Sequence, residues 1–207
     1  FSYHELEALA ESVDRIFFFE GVVMDGVPVF NLVRETMPAV VVEGFRGVIN
    51  TTSNFILSEL ERGKEFDRAL AEMQARGIAE ADPSLDVDGW DAAAKAAALA
   101  NVLLDARVTP RDVDRTGIGP EVGSQVAAAH SRACRIRLVA SAERGARPVV
   151  RPMELPREDL LAGLRGMANA LILETDTLGQ IAICQLDGGL AQTAYALLSD
   201  LVTVRRR

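Results

Sequence analysis

The stretch Gly77-Ile78-Ala79-Glu80-Ala81-Asp82-Pro83-Ser84-Leu85-Asp86-Val87-Asp88-Gly89-Trp90-Asp91-Ala92-Ala93-Ala94-Lys95 decides how this chain is read. It begins as a loop dense in acid and runs into an alanine-rich helix over residues 90–105. Alanine is the strongest intrinsic helix former. Asp91 and Lys95 stand four residues apart and so share a helix face. On an exposed helix such a pair contributes only about 0.2–0.5 kcal/mol. Here the flanking alanines and Leu99 predict burial of that part of the helix. In an apolar setting burial disfavours a lysine ammonium, and nearby carboxylates restore it. A group balanced in that way can hold or give a proton near neutral pH, which general acid catalysis requires.

Working outward, residues 3–13 read as a helix, with Leu6, Leu9 and Ala10 on one face. Residues 15–23, rich in Phe and Val, read as a strand, and residues 24–28 as a turn. Pro28 can open a helix that runs to about Met37, where Pro38 stops it. Residues 40–49 read as a strand. Asn50-Thr51-Thr52-Ser53-Asn54 then offers capping side chains to a helix that ends near Gly63. A helix over residues 66–76 follows, with Gly77 placed as its left-handed terminator. Beyond Pro110 and Pro120 the pattern is β-rich, at residues 134–140, 149–152, 170–175 and 180–184, before a last helix over residues 191–201. The fold class is α+β: a mostly antiparallel or mixed sheet with helices packed on one face.

The bulk properties narrow the function. A net charge of -8, with no basic cluster except Arg205-Arg206-Arg207, argues against nucleic-acid binding. No apolar run is long enough to span a bilayer, so no membrane partner is expected. Cys134 and Cys184 lack metal-ligand spacing and read as small buried hydrophobes in a reduced, cytoplasmic protein. His4 reads as a surface residue and His130 as structural. Trp90 reads as packing or as a wall of the pocket. Gly117, Gly119 and Gly123 have the wrong spacing for a dinucleotide fingerprint. The chain opens without Met, almost directly into a helix, and reads as part of something longer.

The acidic stretch resembles the homoserine dehydrogenase signature, Gly-x-x-Glu-x-Asp-Pro-x-x-Asp-x-x-Gly-x-Asp-x-x-x-Lys, with Gly77, Glu80, Asp82, Pro83, Asp86, Gly89, Asp91 and Lys95 at its fixed positions. The segments from Glu20 to Pro28 and from Gly47 to Leu57, Gln192-Thr193-Ala194-Tyr195 and Ser199-Asp200-Leu201 are similar to further stretches of that family.

The resemblance implies NAD(P)-dependent interconversion of L-aspartate 4-semialdehyde and L-homoserine, in threonine, methionine and isoleucine biosynthesis. It implies Lys95 as proton donor and Asp91 as its partner. Glu80, Asp86, Asp91 and Thr52 would bind a small amino-acid substrate, and Gly77 and Gly189 would lie against the cofactor. It also implies a monovalent cation at Glu20, Val23, Asp25 and Val27, the last three through backbone carbonyls, although those residues could equally form a simple turn. A homodimer through the sheet is implied as well. Residues 1–15 would then be the tail helix of an absent nucleotide-binding domain, 16–188 the substrate-binding, catalytic and dimerisation domain, and 189–207 a helix returning toward the nucleotide-binding domain. The isolated chain would be inactive.

One segment departs from the family. Gln185-Leu186-Asp187-Gly188-Gly189 stands where the family carries Gly-x-Gly-Ala-Gly, and Thr51 replaces a glycine. Those changes leave room for a homologue with an altered substrate or a non-catalytic amino-acid-binding role.

Overall fold

The computed structural model describes residues 2–77 and 82–206. Among these, strands β1 (Val42–Val48), β2 (Asp114–Arg115), β3 (Cys134–Glu143), β4 (Val149–Pro156), β5 (Asn169–Thr175) and β6 (Gly179–Gln185) form one sheet in the order β2-β4-β3-β1-β5-β6. All neighbours are antiparallel except β2 and β4, so the sheet is mixed. The helices are α1 (Tyr3–Ser12), α2 (Val29–Asn31, continued by a π turn over Leu32–Thr36), α3 (Thr51–Leu60), α4 (Phe66–Ala75), α5 (Ser84–Val87), α6 (Trp90–Leu103), α7 (Val122–Ser131) and α8 (Leu190–Arg206). No described helix is long and apolar enough to cross a membrane.

Strand alternation sorts the side chains into two layers. Phe45 pairs across to Ala142 and Leu173, and Gly47 to Ala140 and Leu171, so these residues share a face. That face forms one buried cluster with Ile56 and Leu57 of α3, the alanines at 92, 93, 96, 97 and 100 of α6, and Val122 and Val126 of α7. The α6 alanines let the helix lie close to the sheet. The other face carries Val48, Val139, Ala170 and Ile172, covered in part by Leu161 and Leu164. The helices therefore pack on one side, as the sequence pattern implies.

Residues 15–23 do not form the strand that their Phe and Val content suggests. Residues 15–19 have no regular structure, and 3-10 turns follow at Glu20–Val22 and Met24–Gly26. The apolar run is absorbed by an aromatic cluster instead of a ladder. Phe19 packs edge-on to Tyr3 at 5.2 Å and to Phe30 at 5.0 Å, and Phe17 meets Phe19 at 5.1 Å. Glu20 turns inward, and its two carboxylate oxygens accept the amide N–H groups of Phe30 and Asn31, both at 2.8 Å. This satisfies donors at the start of α2 that would otherwise be orphaned. Gly26 has φ of +95°, and a Cβ there would lie 2.5 Å from the carbonyl oxygen of Gln192, so α8 sits directly on this turn.

Two further readings are corrected. Cys184 is exposed and Cys134 only half-buried, because alternation puts Cys184 on the uncovered side of the edge strand β6. His4 is no free surface group: its Nε2 meets the Ala106 carbonyl at 2.6 Å and ties α1 to the segment after α6.

A fully buried arginine closes the layer behind the sheet. Arg137 donates from Nη1 to Glu61 at 2.6 Å and to the Ile136 carbonyl at 2.7 Å. Its Nη2 donates to the carbonyls of Ala162 at 3.0 Å and Leu164 at 2.8 Å. Burial pulls the guanidinium below its ordinary pKa, and Glu61 pulls it back up. Removing one partner of a buried pair strands the other charge. Arg137→Ala is expected to lower stability by about 3–5 kcal/mol. Urea denaturation measures this, and a loss below about 1 kcal/mol, the scale of an exposed pair, would show the pair to be ornamental.

Candidate active site

The loop that leaves β1 and the start of α6 build the site together. Asn50 caps α3: its side chain accepts the Ser53 amide N–H at 2.8 Å. An N-cap of this kind contributes about 1 kcal/mol to a helix. On the other wall, α6 places Asp91 and Lys95 one turn apart. The Lys95 Nζ lies 2.7 Å from Asp91 Oδ2 and donates to the Ile49 carbonyl at 3.2 Å. The Lys95 side chain is one-fifth exposed and Asp91 about one-third. The ammonium therefore sits at the floor of an open cleft, neither in bulk water nor sealed in the core.

That cleft has a volume of about 330 Å³ and is lined by Asp25, Asn50, Thr51, Thr52, Arg76, Gly77, Asp86, Asp91, Lys95, Met167, Gly188, Gly189 and Thr193. Seven of the residues singled out in the sequence meet here: Lys95, Asp91, Asp86, Thr52, Gly77, Gly189 and Asp25. Glu80 lies outside the described residues. The alanines do not wall the cleft; those at 92, 93, 96, 97 and 100 are buried in the core, and the lining is mostly polar. Trp90 is not part of it either, because its ring stacks under the Arg115 guanidinium at 3.8 Å. Asp82 has a local role: its carboxylate accepts the Ser84 amide at 3.0 Å, which also holds its pKa below the usual carboxylate range.

Gly77 takes the left-handed conformation its position implies, with φ of +67°, and none of the described residues comes within 4 Å of where a Cβ would stand. Gly77 and Gly189 both line the cleft, and the absence of a side chain at each suits the close approach of a flat cofactor ring. The segment before α8 is less accommodating. A Cβ on Gly188 would meet Asp25 Oδ2 at 3.0 Å, Gln185 Oε1 is buried with no hydrogen-bond partner among the described residues, and Asp187 is exposed.

Of the four residues expected around a cation, only Asp25 reaches the cleft. Glu20, Val23 and Val27 do not line it, and the turns at Glu20–Val22 and Met24–Gly26 pack against α8. Burial pushes the Glu20 carboxyl above its ordinary pKa, against the pull of the Asn31 and Phe30 amides, and the neighbouring Asp200 adds to the rise. The Glu20 amide donates to Asp200 Oδ2 at 3.1 Å, whereas Asp200 Oδ1 is buried without a partner among the described residues. Two adjacent buried carboxylates with an orphaned oxygen suit a cation chemically.

Asn50 carries more than the cap read from the sequence. Its Nδ2 donates to Asp86 Oδ1 at 2.7 Å and to Asp91 Oδ2 at 2.9 Å. Arg76, Met167 and Thr193 are lining residues that sequence reading passed over. Asn54, part of the same motif as Asn50, donates to the carbonyls of Gly166 and Ala168 and so brings Met167 to the cleft.

A profile of the homoserine dehydrogenase family matches residues 28–202. With this site and fold, the chain belongs to the homoserine dehydrogenase family. An NAD(+)-dependent homoserine dehydrogenase of Pseudomonas canavaninivorans is 36% identical over 206 residues, covering 98% of this chain and 58% of that protein. The crystal structure of a homoserine dehydrogenase from Thiobacillus denitrificans matches with a TM-score of 0.92 at 33% identity, over 99% of this chain and 48% of the other. A hyperthermophilic archaeal homoserine dehydrogenase in complex with NADPH matches with a TM-score of 0.82 at 31% identity, over 99% and 60%. The chain thus spans about half to three-fifths of the length of these relatives.

Proposed function

We propose that these residues are the catalytic and substrate-binding part of an enzyme that interconverts L-aspartate 4-semialdehyde and L-homoserine, a step of threonine, methionine and isoleucine biosynthesis in the cytoplasm. The observation that carries this reading is the Lys95 ammonium held between Asp91 and the Ile49 carbonyl, facing a polar cleft. A nicotinamide dinucleotide, when bound, supplies or takes up the hydride; one relative is named for NAD(+) and another was solved with NADPH. In reduction Lys95 gives its proton to the aldehyde oxygen, and in oxidation it takes the proton back from the hydroxyl. Glu80 receives the substrate's ammonium group, for which a carboxylate is the matching charge, while Asp91 binds substrate and holds Lys95, and Asp86 completes the charge around them. Thr52 lines the substrate end, and Gly77 and Gly189 leave backbone room for the cofactor.

The segment at Gln185 and Asp187 favours a second reading: a relative that binds an amino acid in this cleft without dehydrogenase turnover. Its support is the acid of Asp25 and Asp187 beside Gly188, where the family has glycine and alanine.

Two accessory features complete the proposal. A monovalent cation would be held by Glu20 and the backbone carbonyls of Val23, Asp25 and Val27, supported by the buried Glu20 and Asp200 carboxylates. A second copy of the chain would pair across the sheet face that the helices leave open, where Ala182 and Cys184 stand exposed on the same side as Ile172 and Ala170.

In a protein carrying these residues with a nucleotide-binding half, Lys95→Ala is expected to lower kcat about 10²–10⁴-fold with little change in stability. Stopped-rate assays of NAD(P)H formation measure it, and retained turnover removes Lys95 from the mechanism. Homoserine binding without turnover in the native protein would select the second reading. For the cation the sign is as follows. The folded Glu20 pKa lies above the unfolded value, so ionising Glu20 costs stability as pH rises through that window. A bound cation offsets this cost, so sodium or potassium should raise Tm more at neutral pH than in acid, and an equal gain at both would count against the site. Ala182→Arg is expected to turn a dimer into a monomer in sedimentation experiments; an unchanged mass places any interface elsewhere.

A further inference from the structure

Helix spacing alone does not lock Asp91 onto Lys95, because pairs at this spacing are weak and both side chains have other rotamers. We propose that Asn50 is the positioning residue that fixes this pair, a role that rests on the reading of Lys95 as proton donor.

The case is geometric. Asn50 is 4% exposed. Its Oδ1 is engaged by the Ser53 amide, which leaves Nδ2 as the donor and decides which way the amide faces. Both Nδ2 hydrogens are spent on carboxylates: Asp86, from α5, at 2.7 Å and Asp91, from α6, at 2.9 Å. The Asp91 oxygen that takes this bond is Oδ2, the same atom that meets Lys95 Nζ at 2.7 Å. The residue before Asn50 holds the ammonium from the other side, through the Ile49 carbonyl at 3.2 Å.

One dipeptide at the end of β1 therefore grips both members of the pair. It also places a donor between two carboxylates that would otherwise repel each other, splay apart and release Lys95 to swing into the cleft. Neither a carboxylate nor a hydroxyl at position 50 can do this. Aspartate offers no donor, and serine or threonine has one short hydroxyl that cannot reach two acids.

A residue that only caps α3 and one that positions the pair can be told apart. Serine and threonine are good N-caps, so Asn50→Ser and Asn50→Thr both keep the capping acceptor while removing the bridge. These 207 residues contain two lysines, Lys64 and Lys95, so in protein with lysine labelled at Nζ they contribute two ammonium signals to an NMR spectrum. Lys64, ion-paired with Glu59 and Glu72 away from the cleft, is the internal reference. In both variants the Lys95 ammonium hydrogens should exchange with water at least about tenfold faster, with the Lys64 signal unmoved. Lys95 exchange equal to that of the native chain in both variants would overturn the proposal. The readout needs no turnover, so it is separate from the Lys95→Ala assay, whose failure would remove the proton-donor reading itself.

Discussion

The grip of the β1 terminus on the first turn of α6 is the contact on which the site depends. β1 lies inside the sheet and pairs on both edges, with β3 and β5, so its end has little freedom. The chain leaves it through Ile49 and Asn50, one giving a carbonyl to Lys95 and the other an amide to Asp86 and Asp91. A rigid strand end thus sets the coordinates of groups carried by two separate helices. Functional groups held in this way by packed elements are more precise than groups carried on loops.

The packing beneath α6 serves the same end. The buried alanines at 92, 93, 96, 97 and 100 bring the helix in close to the core, while Asp91 and Lys95 look into the cleft. The alanine run and the charged pair are two faces of one helix. The first is chosen for its small volume, the second for its chemistry. Reading both as parts of one apolar pocket mistakes neighbours in sequence for neighbours in space.

That distinction explains what was legible in the sequence. The Asp91–Lys95 pair, the left-handed Gly77 and the Asn50 cap are local, and local spacing reveals them. The bridge from Asn50 to Asp86 and Asp91 joins residues 36 and 41 positions apart, and no periodicity reports such a contact. The stretch at residues 15–23 misleads for a related reason. Its Phe and Val residues have strand propensity, but the partners that claim them are Tyr3, Phe30 and the α2 amides rather than another strand. The two-residue strand β2 is too short to leave any pattern, and yet it makes the sheet mixed. Cys184 is exposed against the expectation for its residue type, which says nothing about which face of an edge strand is covered.

Arg137 has a consequence for how this sequence can vary. Its fully buried guanidinium is neutralised by the Glu61 carboxylate, which stands at the edge of the interior and also lies 3.7 Å from Arg135. Swapping both for apolar groups of similar volume can be neutral, whereas losing either alone leaves a lone charge in the interior. Positions 61 and 137, 76 residues apart in the chain, are thus coupled: a tolerated exchange at 137 calls for a matching exchange at 61.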